Sequence, residues 1–291
     1  MKLTKRAMII PAASLLLLSG CALTTPPRSE YAAFAQAGSG YAEAVDKLLV
    51  AAGQAQVDST SWRLVADKND LGKVDNATYD KKTKDDTDRL AAIKSLREHA
   101  GLLGVYFGHL ESLATSDAPD RTKDAIQGVV KGITDLSKGL NTLYPNVFNA
   151  LPPLTNIVVD EKVRGALREE LEKRKDVIRK ELQIQEKLLT VLKYQISHAL
   201  TLAKNIKEQE LVFAPLNAPS PLGKPEEWVA KRHEVIYIAA TVEELDSARY
   251  AANKMKEAFE ALLSGEDTTG RINALINDIE SIIAVADAIN S

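Results

Sequence analysis

Residues 178–206 read IRKELQIQEKLLTVLKYQISHALTLAKNI. Ile178, Leu182, Leu189, Leu192, Ile196, Ala199, Ala203 and Ile206 recur on steps of three and four, with one step of seven between Leu182 and Leu189. That spacing puts them along one seam of a helix and gives it a heptad-like character. A strand would need alternation, and alternating Val, Ile and Thr are scarce throughout the chain. The seam extends in both directions, so the spacing predicts one very long helix over about 160–212. Its first third, Arg168 to Lys187, is dense in charges of both signs and reads as solvated on most of its circumference.

The same periodicity organises the rest of the chain. A first helix begins either at Ser29 or after Gly38-Ser39-Gly40 and runs to about Lys68, where Asn69-Asp70-Leu71-Gly72 reads as a turn. A second, about 80–115, carries Leu90, Ile93, Leu96, Leu103, Tyr106, Leu110 and Leu113 on one side. A third, about 120–141, carries Ile126, Val130, Ile133, Leu136 and Leu140. After the long helix, a fifth runs from Pro225, well suited to a first helical position, to Ser264. A sixth covers about 268–289, with Ile272, Leu275, Ile279, Ile282 and Ile289. The predicted fold is all-α: an elongated antiparallel bundle of about six helices, one of them very long. The order long, long, short occurs twice. At an offset of 149 residues Leu113 falls on Leu262, Ile126 on Leu275, Ile133 on Ile282 and Asn141 on Asn290. An internal duplication of a three-helix unit would produce that match; so would two amphipathic sets sharing one break.

Two connections are apolar. Residues 139–159 form 21 consecutive positions without charge, including Tyr144, Val147, Phe148, Leu151 and Leu154. Pro145, Pro152 and Pro153 exclude a membrane-spanning helix there. Residues 211–223 are the second, with Pro215, Pro219 and Pro221. Each either caps one end of the bundle or presents an apolar patch. On the second reading, Tyr144, Val147, Phe148, Leu151 and Leu154 form an interaction loop.

The chain starts Met1-Lys2-Leu3-Thr4-Lys5-Arg6, followed by the uncharged Ala7–Leu18 and then Ser19, Gly20 and Cys21. A basic start, an apolar stretch too short to cross a bilayer and small residues make a secretory signal. Leu18-Ser19-Gly20-Cys21 resembles the lipobox of bacterial lipoproteins. The resemblance covers residues 1–21 and implies cleavage before Cys21, diacylation of its thiol and acylation of its new amine. Three acyl chains anchor stably where one does not. Ala22, where inner-membrane retention favours Asp, implies the outer membrane with the protein facing the periplasm. The expected division is a signal peptide over 1–20, a short tether over 21–29 stiffened by Pro26 and Pro27, and a bundle over 30–291.

The chain of 291 residues is 45% apolar and 26% charged, with a single cysteine and a formal charge of −3. Disorder and disulfide scaffolds are excluded. Loss of residues 1–20 removes Lys2, Lys5 and Arg6 and no acid, which takes the charge to −6. An acidic surface without a basic stripe speaks against nucleic acid.

Catalytic patterns are wanting. His99, His109, His198 and His233 lie far apart, and His233-Glu234 has Tyr237 where a zinc-binding helix needs a second His. Each histidine reads as a surface or satisfied residue. No carboxylate falls in an expected apolar pocket, and Asp85, Asp86 and Asp88 read as the acidic first turn of a helix. Gly104 and Gly108, like Gly128 and Gly132, read as close helix packing. Trp62 and Trp228 read as packing residues. No catalytic residue, metal or cofactor is expected. The expected function is a non-enzymatic protein-interaction or structural module of the cell envelope, held to the membrane through acylated Cys21 and meeting an envelope protein partner. The other readings are a ligand-binding or enzymatic periplasmic lipoprotein with a site assembled from scattered residues, and a membrane-active bundle.

Overall fold

A computed structural model of the chain describes residues 27–115, 131–133, 135 and 166–290. Cys21 and the signal peptide, most of the expected third helix, and Tyr144, Val147, Phe148, Leu151 and Leu154 lie outside them. Among the described residues the fold is all-α.

Helix α1 spans Arg28–Leu71 and α2 spans Asn76–Thr115. The long helix α3 spans Ala166–Lys207, continues as a π-helical stretch over Glu208–Phe213, and runs into the short α4, Ala214–Asn217. Helix α5 spans Pro225–Ser264 and α6 spans Thr269–Asn290. Residues 131–133 and 135 are also helical.

Helix α1 begins at Arg28, directly after an extended Pro27, so the last two residues of the expected tether are helical. It does not restart after Gly40. The local physics explains why Gly38 does not break it: a Cβ at Gly38 would fall on the ring of Phe107, so the glycine serves a close approach. Gly72, with φ 74°, ends the helix in the left-handed conformation that glycine adopts freely. Helix α2 starts earlier than expected because Asp75 caps it: its Oδ1 accepts the Thr78 N–H at 2.7 Å. Asp85, Asp86 and Asp88 are therefore not its first turn. Asp86 instead accepts from Gln56 and Thr60 on α1 at 3.3 and 3.0 Å.

The packing reflects which helices need cover. Helix α1 lies between α2, α3 and α6, α3 packs on α5, and α5 packs on α6. Helices α1, α3, α5 and α6 thus form a four-membered ring, with α2 outside against α1. Sequential neighbours run antiparallel, shown by Asp46–Arg97 between α1 and α2 and by Arg179–Glu260 and Lys207–Glu234 between α3 and α5. Helices α1 and α3 run parallel, since Trp62 meets Lys207 and Asn69 meets Glu210 farther along both. Around α1 the core is aromatic. Phe34 packs edge-on to Phe107 at 5.7 Å and stacks on Phe259 at 5.9 Å, so one ring joins α1, α2 and α5.

The seam of α3 is buried from Ile178 through Ala203, and Ile206 is half-buried. The expectation for Arg168–Lys187 is overturned. Leu171, Val177, Ile178, Leu182 and Ile184 are buried there, together with Glu170, Glu181 and Gln185. Helices α1 and α5 cover α3, and its charged side chains find partners within α3, as in Arg174–Glu170 at 3.0 Å, or on α5, as in Arg179–Glu260 at 2.6 Å. Leu90, expected on the packed side of α2, is exposed. It lines an open groove at the end of α6, which it shares with Ile289 and Asn290.

Shifted by 149 residues, the bounds of α2 become those of α5. At that register the buried Leu103, Tyr106, Leu110 and Leu113 fall on the buried Ala252, Met255, Phe259 and Leu262. The preceding pair matches less well, since buried Tyr41 falls on half-buried Thr190. The glycine expectation holds at Gly104, where a Cβ would lie 3.3 Å from that of Ala42, and at Gly132, 3.1 Å from Leu102. Gly108 faces open space.

Candidate functional site

At the far end of the bundle from Arg28, three helices are tied together. Pro215 has no N–H to give the helix, and its ring would collide with the carbonyl of Leu211, four residues back. The chain widens instead, and the Ala214 N–H bonds the Gln209 carbonyl five residues back. Within this turn the Val212 carbonyl accepts from the Trp228 indole Nε1–H of α5 at 3.1 Å. The expected loop over 211–223 is therefore helical through Asn217, and irregular backbone is confined to residues 218–224.

The ends of α1 and α5 are joined to this turn by polar contacts. Asn69 of α1 donates to Glu210 at 2.7 Å. Lys207 lies 5.3 Å from the centre of the Trp62 ring and donates to Glu234 at 2.5 Å, while Lys231 donates to the other Glu234 oxygen at 3.0 Å. Burial raises the Glu234 carboxyl pKa, but the bonds and charges of Lys207 and Lys231 outweigh it and hold it below the ordinary value. Both tryptophans thus pack, as expected, and each also engages a polar group.

Around this hub apolar side chains face solvent. Phe213 and Leu216 are about half-exposed at 48% and 50%, and Tyr237 is 71% exposed. Val229 and Ile236, seven residues apart on one face of α5, are exposed as well. Val212 points inward and is buried. The 211–223 segment therefore both closes the bundle and presents an apolar surface. Trp228→Phe is expected to leave the Val212 carbonyl without its indole donor and to lower stability by about 1 kcal/mol. Urea unfolding of the two proteins side by side measures this.

Halfway along the bundle lies a buried polar layer. His99 of α2, with no exposed surface, bonds through Nε2 to Oε1 of Glu181 on α3 at 2.5 Å. Gln185 donates to the same oxygen at 2.8 Å. Tyr41 Oη, His99 Nδ1, Glu181 Oε2 and Gln185 Oε1 are buried without hydrogen-bond partners. Burial raises the Tyr41 hydroxyl pKa well above 10, and the charges of Glu181 and Glu186 push it further the same way. The other histidines fit the surface expectation: His198 and His233 are exposed and His109 is half-buried. Sequence reasoning misses the buried carboxylates. Glu181 lies one turn from Gln185, in a run whose charge density masks the face it occupies.

A groove of about 610 Å³ opens where α6 ends, floored by Leu49, Gly53, Val57, Leu90 and Ile93 and edged by Asp58, Lys94 and Arg97. Among the described residues no cluster of three or more His, Cys, Asp or Glu is placed to hold a metal ion. No described helix is long and apolar enough to cross a membrane.

No protein-family model, no curated protein and no solved structure matches the chain.

Proposed function

We propose that this protein is a lipid-anchored helical-bundle module of the cell envelope. Acylated Cys21 holds it to the outer membrane on the periplasmic side, and it works by binding an envelope protein rather than by catalysis. The observation that carries the reading is a group of exposed apolar side chains at the end of the bundle far from Arg28. Helix α1 starts directly after Pro27, six residues beyond the lipobox cysteine, and runs 44 residues to Leu71, about 66 Å at 1.5 Å per residue. Phe213, Leu216, Val229, Ile236 and Tyr237 are exposed at that distant end. A partner met there is met well away from the bilayer. Exposed aromatic and aliphatic side chains rimmed by Lys231, Glu234 and Glu210 have the composition of a small recognition surface.

A photo-crosslinking residue at position 237, introduced in intact host cells, tests this. One dominant crosslinked protein is expected, lost when Ile236→Glu is added. Cys21→Ala is expected to leave the membrane fraction. Retention of Cys21→Ala in that fraction removes the anchoring reading, and no crosslink above the Cys21→Ala background removes the partner reading.

A further inference from the structure

We propose that His99 and Glu181 form a pH-sensitive latch that holds α2 against α3 in mildly acidic surroundings and slackens in alkaline ones. Helix α2 packs along the length of α1 but meets α3 only over a short stretch. In that stretch stands the His99–Glu181 bond, 2.5 Å long and sealed from solvent on both sides, with His99 at 0% and Glu181 at 3% side-chain exposure. A bond between two ionisable groups so placed changes character with one proton.

The groups around the pair come from every described neighbour. Helix α1 brings Tyr41 and, on the outer side, Asp46, which is occupied by Arg97 of α2 through two bonds of 2.7 and 3.1 Å. Helix α3 brings Glu181, Gln185 and Glu186. Helix α2 itself carries the exposed Glu98 next to His99, and the helical residues 131–133 and 135 include the exposed Lys131 and Asp135. A second buried pair, Glu170–Arg174, lies beside Tyr106 on α3 and is already neutralised internally. No described cation other than His99 bonds Glu181.

Burial pushes the imidazole pKa down, but the Glu181 charge and hydrogen bond outweigh it and hold it above 6.5. A folded value above the unfolded one makes the contribution complete below about pH 6.5. It is lost as pH rises through the folded value, which leaves Glu181 inside without a counter-charge. Neutral imidazole still bonds Glu181, so α2 loosens rather than detaches.

Hydrogen exchange of the full chain, read on peptides covering 94–107 and corrected for the intrinsic pH dependence, tests the latch. Protection is expected to fall between pH 6 and pH 9 by about tenfold for each unit that separates the folded and unfolded values. Peptides from α6 over 275–286 are expected to change less. Glu181→Gln, which removes the charge and keeps the shape, is expected to abolish the pH dependence at 94–107. Should that variant fold poorly, an NMR titration of the His99 ring in the unaltered protein decides. A midpoint above that of a free histidine supports the latch, and a midpoint at or below it overturns it. Unchanged protection at 94–107 in the unaltered protein, or an equal loss in α6, also overturns it.

Discussion

Phe107→Ala is expected to lower the free energy of unfolding by about 3–5 kcal/mol, the range for removing a large aromatic from a packed core. Phe107 has no exposed surface, packs edge-on against Phe34 at 5.7 Å and against Tyr106 at 5.4 Å, and lies over Gly38. Its loss would empty a point of close approach between α1 and α2 and leave Phe34 with only Phe259 for a ring partner. Gly38→Ala reaches the same contact from the other side. Alanine favours a helix over glycine by about 1 kcal/mol, but its methyl would overlap the Phe107 ring. Overpacking of that kind costs about 1–3 kcal/mol, so the net effect is destabilising. Chemical denaturation of both variants checks the two signs. A Gly38→Ala protein more stable than the parent would show that the ring moves aside freely.

His99→Leu is expected to be of similar severity, about 3–5 kcal/mol, because it leaves the Glu181 carboxylate buried and unpaired. His99→Leu combined with Glu181→Leu removes both ends of the pair and is expected to recover most of that loss. Buried ion pairs replaced as a unit by apolar groups are often neutral in stability. Equilibrium unfolding near pH 6, where the pair is complete, distinguishes the two. The contrast matters beyond stability. If the double variant is stable but its α2 exchange no longer responds to pH, the pair serves a conformational role and not a structural need.

The helices are legible in the sequence because their signal is local. The seam from Ile178 to Ala203 and the run Ile272, Leu275, Ile279 and Ile282 each lie on one side of a helix, and each is buried. Helix α5 begins and ends at the expected Pro225 and Ser264. Errors arise where a neighbour overrides the local pattern. Arg168–Lys187 reads as a solvated stretch because charge density is local, whereas the cover that α1 and α5 lay over it is not. Leu90 reads as core because its spacing is right, but it faces the open groove where α6 ends. The 211–223 segment reads as a loop because of its prolines. Pro215 distorts the helix into a wider turn without ending it, and Trp228, on another helix, donates to the Val212 carbonyl within that turn.

Periodicity, composition and the residues 1–21 therefore determined by themselves an all-α chain, the positions of most helices and an expectation of lipid anchoring. These depend on spacing within a few turns or on contiguous residues. Only the tertiary structure decided that α1 is the central helix, that Phe34, Phe107 and Phe259 meet, and that His99 faces Glu181 across 82 positions of sequence. Side chains so far apart in the chain are brought together by the crossing of whole helices, and the distance between two faces depends on every residue packed between them.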